Sequence, residues 1–306
     1  MFGKDTQLEG RVVVVTGAAR GMGAAYVKGF LSAGAKVVAT DKSWAGVDNF
    51  QRELTSNENT LALEVDVTND VQIDKAYQAT LQRFGTVDVL VNNAAMLQMT
   101  LFPPTGRLTT LETKDEDWVK MFSVNVFGVL KVTRRFIKPM MEKERGSIIN
   151  VVSSGILNFS RGGGYAAFRP WSREMPYMSS KAALATMSFY LADEVKPYNI
   201  SVNLIIPGHT RGSWFDDTTR ARVAVGMRPG YRPVVAEHVL PLALFLASQD
   251  AKGVTGKMFD ALEWSLDHGL GGYETWADRS LPPDLERVFS AEAIAPAGVP
   301  HSRPPS

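Results

Sequence analysis

Arg11-Val12-Val13-Val14-Val15-Thr16-Gly17-Ala18-Ala19-Arg20-Gly21-Met22-Gly23 changes character twice within one short stretch. The run of valines suits a strand buried on both faces of a parallel sheet. From Gly21 to Ala33 the bulkier apolar residues Met22, Tyr26 and Phe30 recur at helical spacing, and Gly34 supplies a stop. Between the two, Gly17, Gly21 and Gly23 allow a tight turn and a close backbone approach. A turn that opens a helix after a strand presents free N–H groups and a positive dipole end to an anion. A trio of glycines alone says little; its position between strand and helix makes it the phosphate-binding fingerprint of a dinucleotide fold.

Working outward, the same alternation continues. Lys36 to Asp41, Leu61 to Val65, Val87 to Val91, Ser147 to Val152, Ile200 to Ile206 and Lys257 to Phe259 read as strands. Helical patterns cover Val71 to Phe84, Asp115 to Glu142, Tyr177 to Val195 and Ala236 to Ala247. Parallel strands need crossovers, usually helices, so repeated units of this kind imply an α/β protein. The expected architecture is a Rossmann-type doubly wound parallel sheet with helices on both faces, in a single domain over residues 1–272. Beyond Tyr273 the pattern fails and prolines accumulate (Pro282, Pro283, Pro296, Pro300, Pro304, Pro305), which marks residues 273–306 as a Pro-rich C-terminal extension. Asp284 to Phe289 fits a helical turn there, and the last residues fit an extended arm.

Composition narrows the partners. The chain has 306 residues, 45% hydrophobic and 21% charged, with 33 basic and 32 acidic side chains, so no global field draws it to nucleic acid or an anionic membrane. Absence of cysteine removes disulfides, thiolate nucleophiles and thiolate metal sites. His209, His238, His268 and His301 are scattered without ligand spacing, so no metal site is expected. The N-terminus lacks an apolar signal core and no later run is long enough to span a bilayer, which leads to the expectation of a cytoplasmic protein.

Two constellations carry chemistry. Asp41 ends the second strand where the dinucleotide fold places the acid that hydrogen-bonds the adenosine ribose, which favours NAD over NADP; Arg20 and Lys42 lie near enough to pair with a 2′-phosphate and keep NADP as the alternative. Tyr177-Met178-Ser179-Ser180-Lys181 sets a phenol and an ammonium one helical turn apart on one face. An isolated pair of that kind is ordinarily helix surface. Here Ser153 and Ser154, Asn92 to Ala95, and Pro207-Gly208-His209-Thr210 all close strands, and ligands of open α/β sheets bind outside the carboxyl ends of strands. An ammonium near a phenol of pKa about 10 favours the phenolate, so Tyr177 qualifies as a proton acceptor.

With these residues in their order, the chain resembles the short-chain dehydrogenase/reductase family over about Leu8 to Gly272. The resemblance rests on Gly17, Gly21, Gly23, Asp66, Asn92 to Ala95, Asn125, Ser154, Tyr177, Lys181 and Pro207-Gly208. It implies Tyr177 as general acid/base, Ser154 on the substrate oxygen, Lys181 on the nicotinamide ribose and Asn125 holding a relay water. Cofactor contacts implied with it are Gly17, Arg20, Gly21, Met22, Gly23, Asp41, Asp66, Val67, Asn93, Pro207, Gly208 and Thr210, besides Tyr177 and Lys181 themselves. The stretches Asn93 to Asn125 and Ser154 to Tyr177 are longer than the family's usual spacing, Gly212 replaces a common threonine near the pyrophosphate, and the extension has no counterpart.

The expected activity is hydride exchange between NAD(H) and a secondary alcohol or ketone. Phe159, Tyr165, Phe168 and Trp171 beside Gly162 to Gly164, with Trp214 and Phe215 after the Pro207 turn, point to a bulky or aromatic substrate, or equally to rings packed beneath loops or against a subunit. An NADP-dependent ketone reductase and a non-catalytic dinucleotide sensor are the alternatives. The family likeness implies a homo-oligomer, tetramer or dimer, built on the helices near Asp115 to Glu142 and Tyr177 to Val195.

Overall fold

The valines of β1 (Val12–Thr16) divide between two cores. In the computed structural model, which describes residues 8–105, 110–156, 175–226 and 231–290, Val13 and Val15 face one side of the sheet and Val12 and Val14 the other. Alternating side chains on a strand buried on both faces produce this split. On the first side, α1 (Gly21–Ser32) packs Tyr26 and Phe30 against Leu242 and Leu246 of α9 (Leu240–Ser248). On the other, Ile73 and Tyr77 of α3 (Asp70–Phe84) meet Phe136 of α5 (Val129–Phe136) and Met140 of α6 (Lys138–Glu142).

The remaining strands are β2 (Lys36–Asp41), β3 (Thr60–Glu64), β4 (Val89–Asn92), β5 (Gly146–Val151), β6 (Ile200–Ile206) and β7 (Lys257–Asp260). They form a seven-stranded sheet of order β3-β2-β1-β4-β5-β6-β7, and every neighbouring pair is parallel. This is the doubly wound sheet expected of the sequence. Its order reverses between β1 and β4, the crevice where such folds take ligands. Strand limits shift by one or two residues from the sequence reading, the usual uncertainty of element ends.

Larger differences have physical causes. Asp115 to Glu142 is not one α-helix: α4 (Asp115–Phe122) passes into a π turn, Ser123–Gly128, before α5. An inserted residue rotates the following turn, a device found often at functional sites, and Asn125 lies inside it, fully buried. Ala236 to Val239 forms a tighter 3₁₀ turn ahead of α9. Among the helices not expected from the sequence, α2 (Asp48–Ser56) fully buries only Leu54, and α8 (Phe215–Ala224) only Phe215, Thr218 and Thr219.

The start of the C-terminal extension docks on its own chain. Following α10 (Ala261–Asp267), α11 (Tyr273–Trp276) and α12 (Pro283–Val288) bring Leu281, Leu285 and Phe289 against Phe215 in a separate apolar cluster. The arm expected further on lies outside the described residues.

α7 (Tyr177–Val195) is tied to the sheet by a buried polar chain. Asn92 Nδ2 donates to Thr133 Oγ1 (3.2 Å) and to Asn150 Oδ1 (2.8 Å); Asn150 Nδ2 donates to Ser188 Oγ (2.8 Å), which donates to the Leu184 carbonyl (2.7 Å). Buried polar groups of this kind are costly when a partner is lost. Asn150→Ala is expected to lower the unfolding free energy by about 2 kcal/mol, since it takes one of two hydrogen-bond partners from each of Asn92 and Ser188 in a buried site. A denaturation midpoint equal to wild type would show that this chain contributes nothing.

Candidate active site

The glycine turn is built so that only glycine fits. Gly17 has φ +65, and a Cβ there would lie 2.8 Å from Ala94 Cα; one on Gly23 would lie 1.8 Å from the Gly17 carbonyl oxygen. The turn is held from the next strand. Asn93 Nδ2 donates to the carbonyls of Thr16 (3.0 Å) and Gly17 (2.9 Å), while Thr16 Oγ1 accepts the N–H groups of Asn93 and Ala94 at 3.1 Å each. The Asn93 carboxamide thus shapes the turn itself. Thr16 as the matching acceptor is a residue that sequence reasoning missed, because nothing in a strand-ending threonine signals it.

Arg20 precedes the first turn of α1 and caps none of its N–H groups; its guanidinium donates to the Ala45 carbonyl (3.0 Å) and the Ser43 carbonyl (3.5 Å). Asp41, at the end of β2, accepts from the N–H groups of Ala19 (2.9 Å) and Ser43 (3.1 Å), which fixes its carboxylate against the turn. Lys42 points elsewhere and pairs with Asp66 at 2.8 Å. Partial burial works to raise the Asp66 pKa, but hydrogen bonds from Lys42 and Thr68 outweigh it and hold the group below the usual carboxylate range. Val67 is buried against Gly128 in the π turn.

Across the crevice, β5 delivers Ser153 and Ser154 and β6 delivers Pro207, Gly208 and His209 at the same level, because Val152 N–H still bonds the Ile205 carbonyl (2.9 Å). Ser154 and Tyr177 are half-buried. Lys181, one turn after Tyr177, is buried; its Nζ donates to the Val151 carbonyl (2.8 Å) and lies 5.8 Å from the Tyr177 ring centre. Burial pushes its pKa down to about 8. Asn125 accepts from Met96 N–H (2.8 Å) and donates to the Met96 carbonyl (3.0 Å) and to Ser180 Oγ (2.9 Å). Ser180 Oγ in turn donates to the Tyr177 carbonyl (2.6 Å), so an unforeseen serine links the π turn to the first turn of α7.

Beneath the Pro207–Gly208 turn sits His238, fully buried, with Nε2 accepting the Gly208 N–H (2.9 Å) and Nδ1 placed 2.7 Å from the Val235 carbonyl. Burial drives its pKa to about 4 against opposing help from that carbonyl and Asp260, which keeps the imidazole neutral. Thr210 Oγ1 donates to the Gly208 carbonyl (3.0 Å) and lies 3.6 Å from Met22 Sδ, so the turn after β6 reaches the head of α1.

Of the aromatic residues proposed for a pocket, Phe159, Tyr165, Phe168 and Trp171 lie outside the described residues. Phe215 is a core side chain, 1% exposed, and not a pocket wall. Trp214 remains half-buried beside His209 and explains a departure from the family pattern: a Cβ on Gly212 would lie 2.7 Å from Trp214 Nε1.

Taken together, an uncapped helix start behind a glycine-only turn, an acid fixed at the end of β2, and a Tyr–Lys pair on the facing rim suit a nicotinamide dinucleotide. A fold and site of this class define an oxidoreductase that acts on CH–OH groups. Residues 11–222 match the family model described as short chain dehydrogenase, and the chain belongs to that family. It is 52% identical over 300 residues to a fluoren-9-ol dehydrogenase of Terrabacter sp. (strain DBF63), which covers 96% of this chain and 84% of that one. It is 31% identical to the 3-oxoacyl-[acyl-carrier-protein] reductase FabG of Escherichia coli (strain K12), over 81% of this chain and 94% of that protein. Among solved structures, the 3-ketoacyl-(acyl-carrier-protein) reductase from Brucella melitensis complexed with NADH matches with TM-score 0.67 and 29% identity, over 83% of this chain and 97% of that one. Among the described residues no helix is long and apolar enough to cross a membrane, and no cluster suited to a metal ion occurs.

Gly17→Ala is expected to abolish measurable NADH binding in a fluorescence titration, and retained binding would contradict the cradle described above. Lys181 also links stability to pH. Because its folded pKa of about 8 lies below the ordinary lysine value of 10.5, the unfolded chain binds more protons between these values. Wild type should therefore gain stability relative to Lys181→Met as pH rises from 8 to 10.5; a flat difference would refute the burial effect.

Proposed function

We propose that this chain oxidises bulky secondary alcohols to ketones, and reduces the ketones, with NAD(H) and with Tyr177 as the general acid/base. The observation that carries the reading is the Tyr177–Lys181 pair, with the ammonium 5.8 Å from the phenol ring and buried beneath it, on the same rim as the glycine turn. The nicotinamide supplies the acceptor or donor of a hydride. Tyr177 Oη takes the alcohol proton in oxidation and returns it in reduction, a transfer worth typically about 10²–10⁴-fold when well placed. Ser154 donates a hydrogen bond to the substrate oxygen. Lys181 favours the phenolate by its charge and binds the nicotinamide ribose, while Asn125, tied to Met96 and Ser180, orients a relay water.

Gly17, Arg20, Gly21, Met22 and Gly23 would hold the pyrophosphate side, Asp41 the adenosine ribose, Asp66 and Val67 the adenine, and Asn93 the turn between them. Pro207, Gly208 and Thr210 would meet the carboxamide. NAD is favoured because the groups able to neutralise a 2′-phosphate are engaged: Lys42 with Asp66 and Arg20 with two carbonyls, beside the fixed carboxylate of Asp41. Support for a bulky substrate comes from the relative named for fluoren-9-ol and from the rings of His209, Trp214 and Tyr231 at the end of β6. Exposed Phe127 in the π turn and Phe189 and Tyr190 on α7 support a homo-oligomer, tetramer or dimer.

Tyr177→Phe should lose turnover by at least about 10³-fold while NADH affinity stays unchanged; an unaltered rate removes this mechanism. NADH should bind at least about tenfold tighter than NADPH, a difference of about 1.4 kcal/mol, and Asp41→Ala should shrink the ratio. Tighter NADPH binding by wild type would reverse the cofactor assignment. Light scattering at low micromolar concentration should give a dimer or tetramer mass, and a monomer would exclude the oligomer.

A further inference from the structure

We propose that residues 273–290 are a working part of the substrate wall, with Arg211 and Arg232 as positioning residues that hold the His209–Trp214–Tyr231 ring cluster in the orientation that selects flat, multi-ring alcohols. The proposal rests on the bulky-alcohol reading above. It gives the C-terminal extension a role in specificity.

The backbone attaches the extension to the turn after β6 through an intermediate strand. Val234 N–H bonds the His209 carbonyl (2.9 Å) and Arg211 N–H the Val234 carbonyl (3.1 Å); on its other side, Val235 N–H bonds the Trp276 carbonyl (2.9 Å) and Asp278 N–H the Pro233 carbonyl (2.8 Å). His209 and Asp278 thus belong to one small hydrogen-bonded layer. The same layer begins at His209, three residues past β6, on the rim that carries Ser154.

Side chains lock the layer twice. Arg211 grips Asp216 through Nε (2.9 Å) and Nη2 (2.7 Å) and reaches Asp278 (3.4 Å) and the Ser280 carbonyl (3.1 Å) through Nη1. Arg232 forks onto Glu286, with Nη1 to Oε2 at 2.8 Å and Nη2 to Oε1, and donates to the Asp278 carbonyl (2.9 Å). The Arg232 side chain is 12% exposed and that of Glu286 49%, so the pair's strength comes from its forked geometry on a largely buried guanidinium more than from burial of both charges. Asp278 stays ionised: burial opposes, but Ser280 and Arg211 hold its pKa below the usual range.

An apolar path runs from the extension to the rings. Phe289 stacks on Phe215 at 6.0 Å, Leu285 closes the same cluster, and Phe215 meets the His209 ring edge-on at 5.4 Å. His209 then contacts Tyr231 at 5.1 Å and Trp214 at 6.2 Å. Such edge-to-face contacts have preferred geometry, so fixing Phe215 from behind restricts the orientation of the rings in front. On its far side α8 reaches the loop after β4, where Arg222 Nε donates to the Pro104 carbonyl (3.2 Å). The helix that starts with Phe215 therefore joins the turn after β6 to the loop after β4, and the extension packs against its first residue.

Steady-state kinetics on wild type, Arg232→Gln, Leu285→Ala and Arg232→Lys, each with fluoren-9-ol and with cyclohexanol, test this, alongside NADH titration and thermal melting. Wild type should prefer fluoren-9-ol; if it does not, the bulky-alcohol reading fails and this proposal falls with it. Arg232→Gln and Leu285→Ala should raise KM for fluoren-9-ol about 5- to 20-fold with kcat within about twofold, leaving cyclohexanol and NADH affinity nearly unchanged. Arg232→Lys, which keeps the charge but not the fork, should restore part of the loss. Equal effects on both alcohols, or no effect on KM in folded variants of an enzyme that does prefer fluoren-9-ol, would overturn the proposal alone.

Discussion

Parallel pairing fixes where everything else must go. All seven strands run the same way, so their carboxyl ends share one rim, and residues as far apart in sequence as Asp41 and Pro207 become neighbours of a single crevice. The sheet cannot be stable in that form without cover on both faces, and the alternating valines of β1 show both faces being filled at once. Rim chemistry and core packing are two results of one constraint.

Placing a group on the rim is not enough to aim it. Asn93 is committed to the carbonyls of Thr16 and Gly17, which makes the second crevice wall the mould for the first. The π turn faces Asn125 inward, where Ser180 passes its position on to the helix that carries Tyr177 and Lys181. Asn125 and the first turn of the Tyr177 helix are thereby held through Ser180, a neighbour that does no chemistry, the support that precise sites generally need.

Strong local periodicity made most of this readable from residues. The valine run, the glycine turn and the Tyr177–Lys181 spacing each carry their own signal, and the strands from Ile200 and Lys36 begin and end where their apolar runs do. Helices α2 and α8 are short: α2 turns only Phe50 and Leu54 to the core, a single apolar pair, and α8 buries Phe215 with two threonines, too little for an extended stripe. Phe215 takes the second of its two readings, a ring packed beneath loops, and the sequence could not choose between them because its partners, Leu285 and Phe289, lie far along the chain. Thr16, Ser180 and His238 act through tertiary hydrogen bonds, and no pattern of neighbours in sequence announces such a bond.

The missing side chain at position 212 leaves room for a large neighbour. Space next to that backbone is claimed by an indole, since a Cβ would come within 2.7 Å of Trp214 Nε1. A side chain at that position and the indole in its present place therefore compete for one volume. Enlarging residue 212 would oblige the ring beside His209 to move, so the smallest residue of this loop fixes the pose of one of its largest.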